Sequence, residues 1–422
     1  MLNHVRKYNH FNLFIVAILG FSCGLPLALT GAALQGWLVH HNVNIVTIGM
    51  LGLVTQPYIF KFLWAPLVDR YAFPFLGHRT GWIFAMQWAL IIVIASITFF
   101  EPTTSPYMFA MCAFAIAFFS ATQDIAFDAY RTELLTESER GLGSVIYVYG
   151  YRIALLISGG GALILSAYIG WEMTYLFMAF LMAVCSVITL FAKESRREVK
   201  QSLSLSQTAL EPFREFMTRN NAVLLIALLL TYKIGEAFAF SLTTPFLIQS
   251  LHFTAQEVGV VSKTMGLIAM LIGLSIGGGL IDKLGLYKSL LWFGVLQSLA
   301  ILSFLWLATV GHNYGVMAFT ILIDQFASGL GTAALMVLLM SVCNTKYTAT
   351  QFALLSAVIS VPRVYVLPIS GAFIASYGWE SFFWFAFLVS LPSLVIVRLL
   401  RNDINSSVDL GNQSRNRKGA FA

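Results

Sequence analysis

Charged residues are scarce in this chain. Only 10% of its 422 residues are Asp, Glu, Lys or Arg, whereas 58% are hydrophobic and the mean hydropathy is +0.80. A soluble globular protein carries about 25% charged residues, so the composition excludes that class. It predicts instead an all-α polytopic membrane protein, whose helices can be apolar on every side because lipid replaces water around them.

Cysteines and catalytic motifs are also few. All four cysteines lie inside apolar runs, which indicates small buried side chains rather than disulfides or metal ligands. The sequence contains no H-E-x-x-H, no G-x-S-x-G and no nucleotide-binding glycine loop, and most of its seven histidines fall in predicted loops or the terminus. We therefore expect neither an enzyme nor a cofactor. The first apolar run is long and lacks a cleavage-like end, so we expect it to be retained as a span.

Twelve apolar runs have the length of about 20 residues that a membrane-spanning helix needs. We number them spans 1 to 12, at 11–38, 46–67, 82–100, 106–130, 141–168, 172–192, 221–249, 256–280, 289–308, 314–341, 350–376 and 379–399. Their even number predicts that both termini lie on the same side of the membrane.

The basic residues predict which side that is. Of the 25 Lys and Arg residues, 20 lie at the termini or in the even-numbered loops, none lies in an odd-numbered loop, and the other five lie within spans. By the positive-inside rule, both termini and the central loop are expected to be cytoplasmic. Membrane topology thus accounts for the net charge of +6, and we expect the lipid bilayer, not nucleic acid, as a partner.

The two halves of the chain repeat each other at an offset of about 210 residues. The stretch "APLVDRYAFPFLGHRTGW" after span 2 matches "GGLIDKLGLYKSLLW" after span 8, and "SAYIGWEMTYLFMAF" matches "ASYGWESFFWFAF". Gln123-Asp124 in span 4 likewise corresponds to Asp324-Gln325 in span 10. We predict two six-helix halves at 1–192 and 221–402. A cytoplasmic linker at 193–220 joins them, and a cytoplasmic polar tail follows at 403–422. Two parallel six-helix repeats are the plan of the major facilitator transporters.

Several stretches resemble a known family within that superfamily. The segment Gly278-x3-Asp282-Lys283-x-Gly285 is similar to the superfamily's cytoplasmic loop motif, and Asp69-Arg70 begins a first-half copy with an insertion. The segments "GFSCGLPLALTGAALQGWL", "PYIFKFLWAPLVDRY" and "SATQDIAFDAYRTELL" resemble the AmpG-type muropeptide permeases, and the similarity covers nearly the whole chain. The resemblance implies proton-driven import of anhydro-muropeptides across a bacterial inner membrane. The wider group also includes siderophore permeases and acetyl-CoA transporters, which leaves those solutes as alternatives.

Charges inside the spans mark the candidate site. Spans 3, 6, 9 and 12 have no charge in their interiors, which fits the superfamily arrangement in which these helices face lipid. Asp124 in span 4 is the expected proton carrier, because a carboxylate shielded from water can bind and release a proton. An ion pair between Asp124 and Arg152 is the alternative, and Lys61 is expected only to reach toward the inner surface.

The remaining polar residues divide into substrate contacts and a gate. Muropeptides carry peptide carboxylates, which cationic side chains could bind. The candidate substrate-binding residues are Gln35, Gln123, Arg152, Lys233, Glu236, Asp324, Gln325 and Arg363. Lys233 has the alternative of being neutralised by Glu236, three residues further on. A cytoplasmic gate is predicted from Asp69, Arg70, Asp128, Arg131, Asp282 and Lys283. We expect a monomer; a channel would need neither proton carriers nor paired gates.

Overall fold

The computed structural model describes residues 10–71, 73, 76–135, 140–194, 211–219, 221–343 and 348–405. Among them, ten helices are long and apolar enough to cross a membrane. Two of the ten, Ile146–Thr189 and Leu354–Leu399, have 44 and 46 residues, about twice the length that one crossing requires. Each contains one glycine with non-helical dihedrals, and division at that glycine turns the ten helices into the twelve predicted spans.

The two interrupting glycines are equivalent positions of the sequence repeat. Gly170 has φ 80° and ψ 168°, and Gly378 has φ 77° and ψ 176°. Both values of φ lie where a side chain is strained and glycine is not. Each glycine precedes Trp-Glu, so the matching segments "GWEM" and "GWES" make the same reversal between consecutive spans, which confirms this part of the repeat.

The first half of the chain forms nine α-helices in the described region, and proline and glycine account for its breaks. Span 1 is divided at Thr30–Gly31, and span 2 consists of short helices joined by tight turns around Pro57. The helices are α1 (His10–Leu29), α2 (Ala32–His40), α3 (Ile45–Leu51), α4 (Pro57–Phe60), α5 (Ala65–Arg70), α6 (His78–Ser96), α7 (Pro106–Leu134), α8 (Arg140–Leu155) and α9 (Ala162–Thr189). Span 3 is α6 and span 4 is α7.

The second half adds nine more α-helices within the described residues. They are α10 (Glu211–Met217), α11 (Ala222–Thr231), α12 (Ile234–Ser241), α13 (Thr243–Pro245), α14 (Ala255–Val258), α15 (Gly266–Leu284), α16 (Leu286–Val310), α17 (Tyr314–Val342) and α18 (Thr348–Leu399). Span 7 comprises α11 to α13 and span 8 contains α14 and α15. Spans 9 and 10 are α16 and α17, and α18 holds spans 11 and 12.

The residue contacts divide the chain into two compact units. Unit 1 contains the described residues of Met1–Asn44, Leu51–Ser202 and Thr254–Val260, and unit 2 those of Ile45–Met50, Leu203–Phe253 and Val261–Ala422. Ile45–Met50 of the first half therefore belongs to unit 2, and Thr254–Val260 of the second half belongs to unit 1. The sequence did not predict these two assignments. Most of the predicted linker 193–220 and of the tail 403–422 lies outside the described residues.

Glycines allow close helix packing inside each unit. In unit 1, a Cβ added to Gly24 of span 1 would lie 2.5 Å from the Tyr151 carbonyl oxygen of span 5. In unit 2, a Cβ on Gly329 of span 10 would collide with the Met270 carbonyl oxygen of span 8. Small residues at such positions let helix backbones approach, which is how membrane helices associate without a hydrophobic driving force between them.

Candidate functional site

Each unit holds a group of polar and charged side chains within its spans. In unit 1 the central member is Asp124, on α7, the single continuous helix of span 4. Its Oδ2 lies 3.8 Å from the Nζ of Lys61 on span 2, and the two side chains are 17% and 35% exposed. The other carboxylate oxygen, Oδ1, is buried and has no hydrogen-bond partner among the described residues. A separation of 3.8 Å exceeds hydrogen-bonding distance, so the contact between Asp124 and Lys61 is a loose ion pair.

The partner of Asp124 differs from the one considered from the sequence. Arg152 was the candidate, because depth counting places it near the level of Asp124, whereas the structure places Lys61 within ion-pair distance. Lys61 begins a short helical turn directly after α4, where span 2 departs from a straight helix. Arg152 is half-buried in span 5, and Gln35 is half-buried in span 1.

Gln123 lies in a buried network that connects four spans. Its Nε2 donates to Ser22 Oγ at 2.6 Å, and Gln87 Nε2 donates to the same oxygen at 3.2 Å. The Thr189 hydroxyl in turn donates to Gln87 Oε1 at 2.8 Å. Spans 1, 3, 4 and 6 are thereby linked, and Gln123 is fully enclosed. Its predicted role in substrate binding stays a prediction. The polar Gln87 inside the uncharged span 3 was the available sequence signal for this network.

Two of the predicted gate residues are in contact. Arg131 Nη2 lies 3.3 Å from Asp128 Oδ1, and the Arg131 guanidinium carbon lies 4.4 Å from the ring centroid of Tyr147. Asp128 is half exposed, while Arg70, Asp282 and Lys283 are exposed. The side chain of Asp69 lies outside the described part of the chain.

In unit 2, spans 7, 9 and 10 bring together six side chains that we call the Asp324 cluster: Lys233, Glu236, Gln297, Asp324, Gln325 and Ser328. Lys233 Nζ donates to Glu236 Oε2 at 2.5 Å and to the Ser328 carbonyl at 2.9 Å. Gln297 also donates to Glu236, and Asp324 is fully buried beside Gln325. Four of the predicted substrate-binding residues therefore form one cluster, while Ser328 and Gln297 were not predicted.

The other two cations within the spans of unit 2 have different surroundings. Lys263 Nζ lies 5.1 Å from the ring centroid of Phe240, a cation–π distance. Arg363, predicted to bind substrate, is exposed on span 11. Among the described residues, no group of three or more His, Cys, Asp or Glu side chains is arranged to hold a metal ion.

Comparisons with known proteins agree with this architecture. Residues 13–367 match the model of the Major Facilitator Superfamily. The chain is 44% identical over 402 residues to the anhydromuropeptide permease of Escherichia coli (strain K12), covering 95% of this chain and 82% of the relative. It is 33% identical over 410 residues to the putative transporter AmpG 4 of Rickettsia conorii, covering 95% and 99%.

Solved structures support the fold alone, because their sequence identities are low. The nucleoside transporter NupG aligns with a TM-score of 0.70 at 13% identity, covering 92% of this chain and 99% of that one. The D-xylose–proton symporter aligns with a TM-score of 0.68 at 12% identity, covering 93% and 97%. The chain therefore belongs to the Major Facilitator Superfamily and, within it, to the AmpG-type permeases, as a multi-pass membrane transporter and not an enzyme.

Proposed function

We propose that this protein imports anhydro-muropeptides across a bacterial inner membrane into the cytoplasm, by proton-coupled alternating access. The observation that carries the proposal is the 44% identity, over 95% of the chain, to a protein named as an anhydromuropeptide permease. The fold supports the transport step, because two six-helix repeats form the usual framework for alternating access.

The chemistry of the substrate fits the cations in the spans. A muropeptide is a disaccharide that carries a peptide with free carboxylates, and guanidinium groups bind carboxylates through paired hydrogen bonds. Arg363 is exposed on span 11. A charge at the bilayer centre costs about 2.5–3.5 kcal/mol on insertion scales, so an exposed arginine within a span favours a water-filled path over lipid. Arg363 and Arg152 are our candidates for binding the peptide carboxylates.

Asp124 is the proposed proton carrier of unit 1. Its carboxylate is held by Lys61 at 3.8 Å, and one of its oxygens has no hydrogen-bond partner among the described residues. A proton that binds this oxygen neutralises the carboxylate and releases Lys61, so protonation changes the contacts between spans 2 and 4. Such a change is what a transporter needs if proton binding is to alter its conformation.

The proposal is tested with purified protein in proteoliposomes and radiolabelled anhydro-muropeptide. An inward proton gradient should drive accumulation above the external concentration, and an uncoupler should abolish it. Asp124→Asn should lose accumulation but keep the exchange of labelled for unlabelled substrate. The matched control is Glu101→Gln, which also replaces a carboxylate by an amide but lies in a loop outside the spans.

Each alternative has its own result. Uptake of a siderophore or a CoA thioester without uptake of muropeptide would replace the substrate. Muropeptide uptake that ignores the uncoupler would keep the substrate and remove proton coupling. Accumulation that persists in Asp124→Asn would remove the role of Asp124.

A further inference from the structure

The ion pair in the Asp324 cluster uses every donor that its lysine has. Lys233 Nζ donates to Glu236 Oε2 at 2.5 Å, to the Ser328 carbonyl at 2.9 Å and to Ser328 Oγ at 3.1 Å. A lysine ammonium has three N–H groups. Lys233 therefore has no donor left for a second carboxylate while this arrangement persists.

Glu236 is surrounded by donors in the same way. Its Oε2 accepts from Lys233 and from Gln297 Nε2, and its Oε1 accepts from the Ser328 hydroxyl at 2.7 Å. A carboxyl group that only accepts hydrogen bonds is ionised. Glu236 and Lys233 thus form a closed pair in which one negative and one positive charge cancel.

Asp324 lies next to this closed pair without a cation of its own. It is fully buried on span 10, one helical turn before Ser328. Its Oδ2 accepts from Gln325 Nε2 at 3.1 Å, and its Oδ1 has no partner among the described residues. An ionised Asp324 would leave the cluster with two negative charges and one positive charge in a buried site, which is costly.

The charged groups on the neighbouring elements do not change that balance. Asp324 interacts electrostatically with the charges of Glu236 and Lys233. Lys263, which precedes α15, faces the Phe240 ring. Among the residues that the structure describes, the other charged side chains on α15, α16 and α18 are exposed: Asp282, Lys283, Lys288, Arg363, Glu380 and Arg398.

We propose that Asp324 is a second proton-binding site of the transporter and that it carries its proton in the arrangement seen here. Release breaks the Asp324 O–H bond, leaves the electron pair on the carboxylate and passes the proton to water. The new carboxylate then competes with Glu236 for Lys233, which links proton release to the contacts between spans 7 and 10. This inference rests on the proposed proton-coupled transport and moves Asp324 from substrate contact to proton carriage.

Infrared spectroscopy of the purified protein in lipid tests the proton on Asp324 without any substrate. The wild type at neutral pH should show a C=O stretching band from a protonated carboxyl group. Asp324→Asn should remove that band, Asp324→Glu should restore one, and Glu380→Gln, an exposed carboxylate on the same unit, should leave it in place. A wild-type band that Asp324→Asn does not change overturns the proposal, as does the absence of a band.

Transport then tests whether this proton is coupled to substrate. Asp324→Asn should keep exchange of labelled for unlabelled muropeptide within about twofold while its gradient-driven accumulation falls at least about tenfold, because the amide cannot release a proton. Accumulation equal to that of Glu380→Gln overturns the proposal. If muropeptide is not transported at all, the proposed function fails while the infrared band still decides the state of Asp324.

Discussion

The two units each place an acid within the fourth span of their half, span 4 in unit 1 and span 10 in unit 2, but surround it differently. Asp124 in unit 1 has a lysine from another span at 3.8 Å, and both partners are partly exposed. Asp324 in unit 2 is fully buried, and the nearby lysine is bound by Glu236. Corresponding spans of the two halves can therefore surround their acids with different charges. The lysine accounts for the difference. Lys61 lies on span 2 and pairs with Asp124 on span 4. Lys233 instead pairs with Glu236, three residues further along span 7, and not with Asp324.

Replacing the lysine of each site should give the largest difference between the units. Lys233→Met removes one partner of a mostly buried pair and should destabilise the protein by about 3 kcal/mol. Lys61→Met removes a loose, partly exposed pair and should cost about 1 kcal/mol or less. Thermal unfolding of both variants in the same detergent measures the difference. Equal losses of stability would mean that the ion pairs of Lys61 and Lys233 contribute equally, contrary to this prediction.

Substitutions at closely packed glycines should change the stability of the two units by more similar amounts than the lysine substitutions do. Gly150→Ala in unit 1 and Gly329→Ala in unit 2 both place a Cβ against a backbone carbonyl of a neighbouring span, so each should cost about 1–3 kcal/mol. Gly279→Ala is the control, because no atom lies within 4 Å of its added Cβ. Thermal unfolding of the three variants checks this. If the control loses as much as the other two, close backbone approach is not the cause.

The architecture could be predicted from the sequence because its determinants run along the chain. Lipid requires each crossing to satisfy its own backbone hydrogen bonds, so every span appears as one apolar run. The reversals at Gly170 and Gly378 could also be recognised, since both follow from a local glycine in a repeated motif. The pairing of Lys233 with Glu236 was considered for the same reason, because residues three apart on a helix are neighbours.

Contacts between spans could not be predicted in the same way. Counting residues along a helix gives depth but not the direction in which a side chain points, so Arg152 was considered as the partner of Asp124 and Lys61 was not. Span 2 adds a second difficulty, since the turns around Pro57 rotate Lys61 away from its position on a straight helix. Gln123 was predicted as a substrate contact, but its bond to Ser22 depends on how spans 1 and 4 pack.

Hydrogen bonds between spans should show a smaller contrast between the units. The Ser22 hydroxyl in unit 1 accepts hydrogen bonds from both Gln87 and Gln123. In unit 2, the Ser390 hydroxyl of span 12 donates one hydrogen bond to Ser298 of span 9. Interhelical hydrogen bonds in membranes average about 0.6 kcal/mol, so Ser22→Ala should cost about 1 kcal/mol and Ser390→Ala about half of that. Unfolding temperatures of the two variants in one detergent provide the test. A larger loss for Ser390→Ala would reverse the contrast.

The smallest effect on stability is expected at the predicted gate of unit 1. Asp128 is half exposed in its pair with Arg131, so Asp128→Asn should change the free energy of unfolding by about 0.5 kcal/mol or less. Because Arg131 also lies over the Tyr147 ring, it keeps one partner when the carboxylate is lost. If this pair helps to close one side of the transporter, the variant should slow gradient-driven uptake while binding of labelled muropeptide stays unchanged. The control Asp403→Asn, in unit 2, should change neither the gradient-driven uptake nor the binding of labelled muropeptide. Weakened binding in Asp128→Asn would assign Asp128 to the substrate site, and normal uptake would exclude it from the gate.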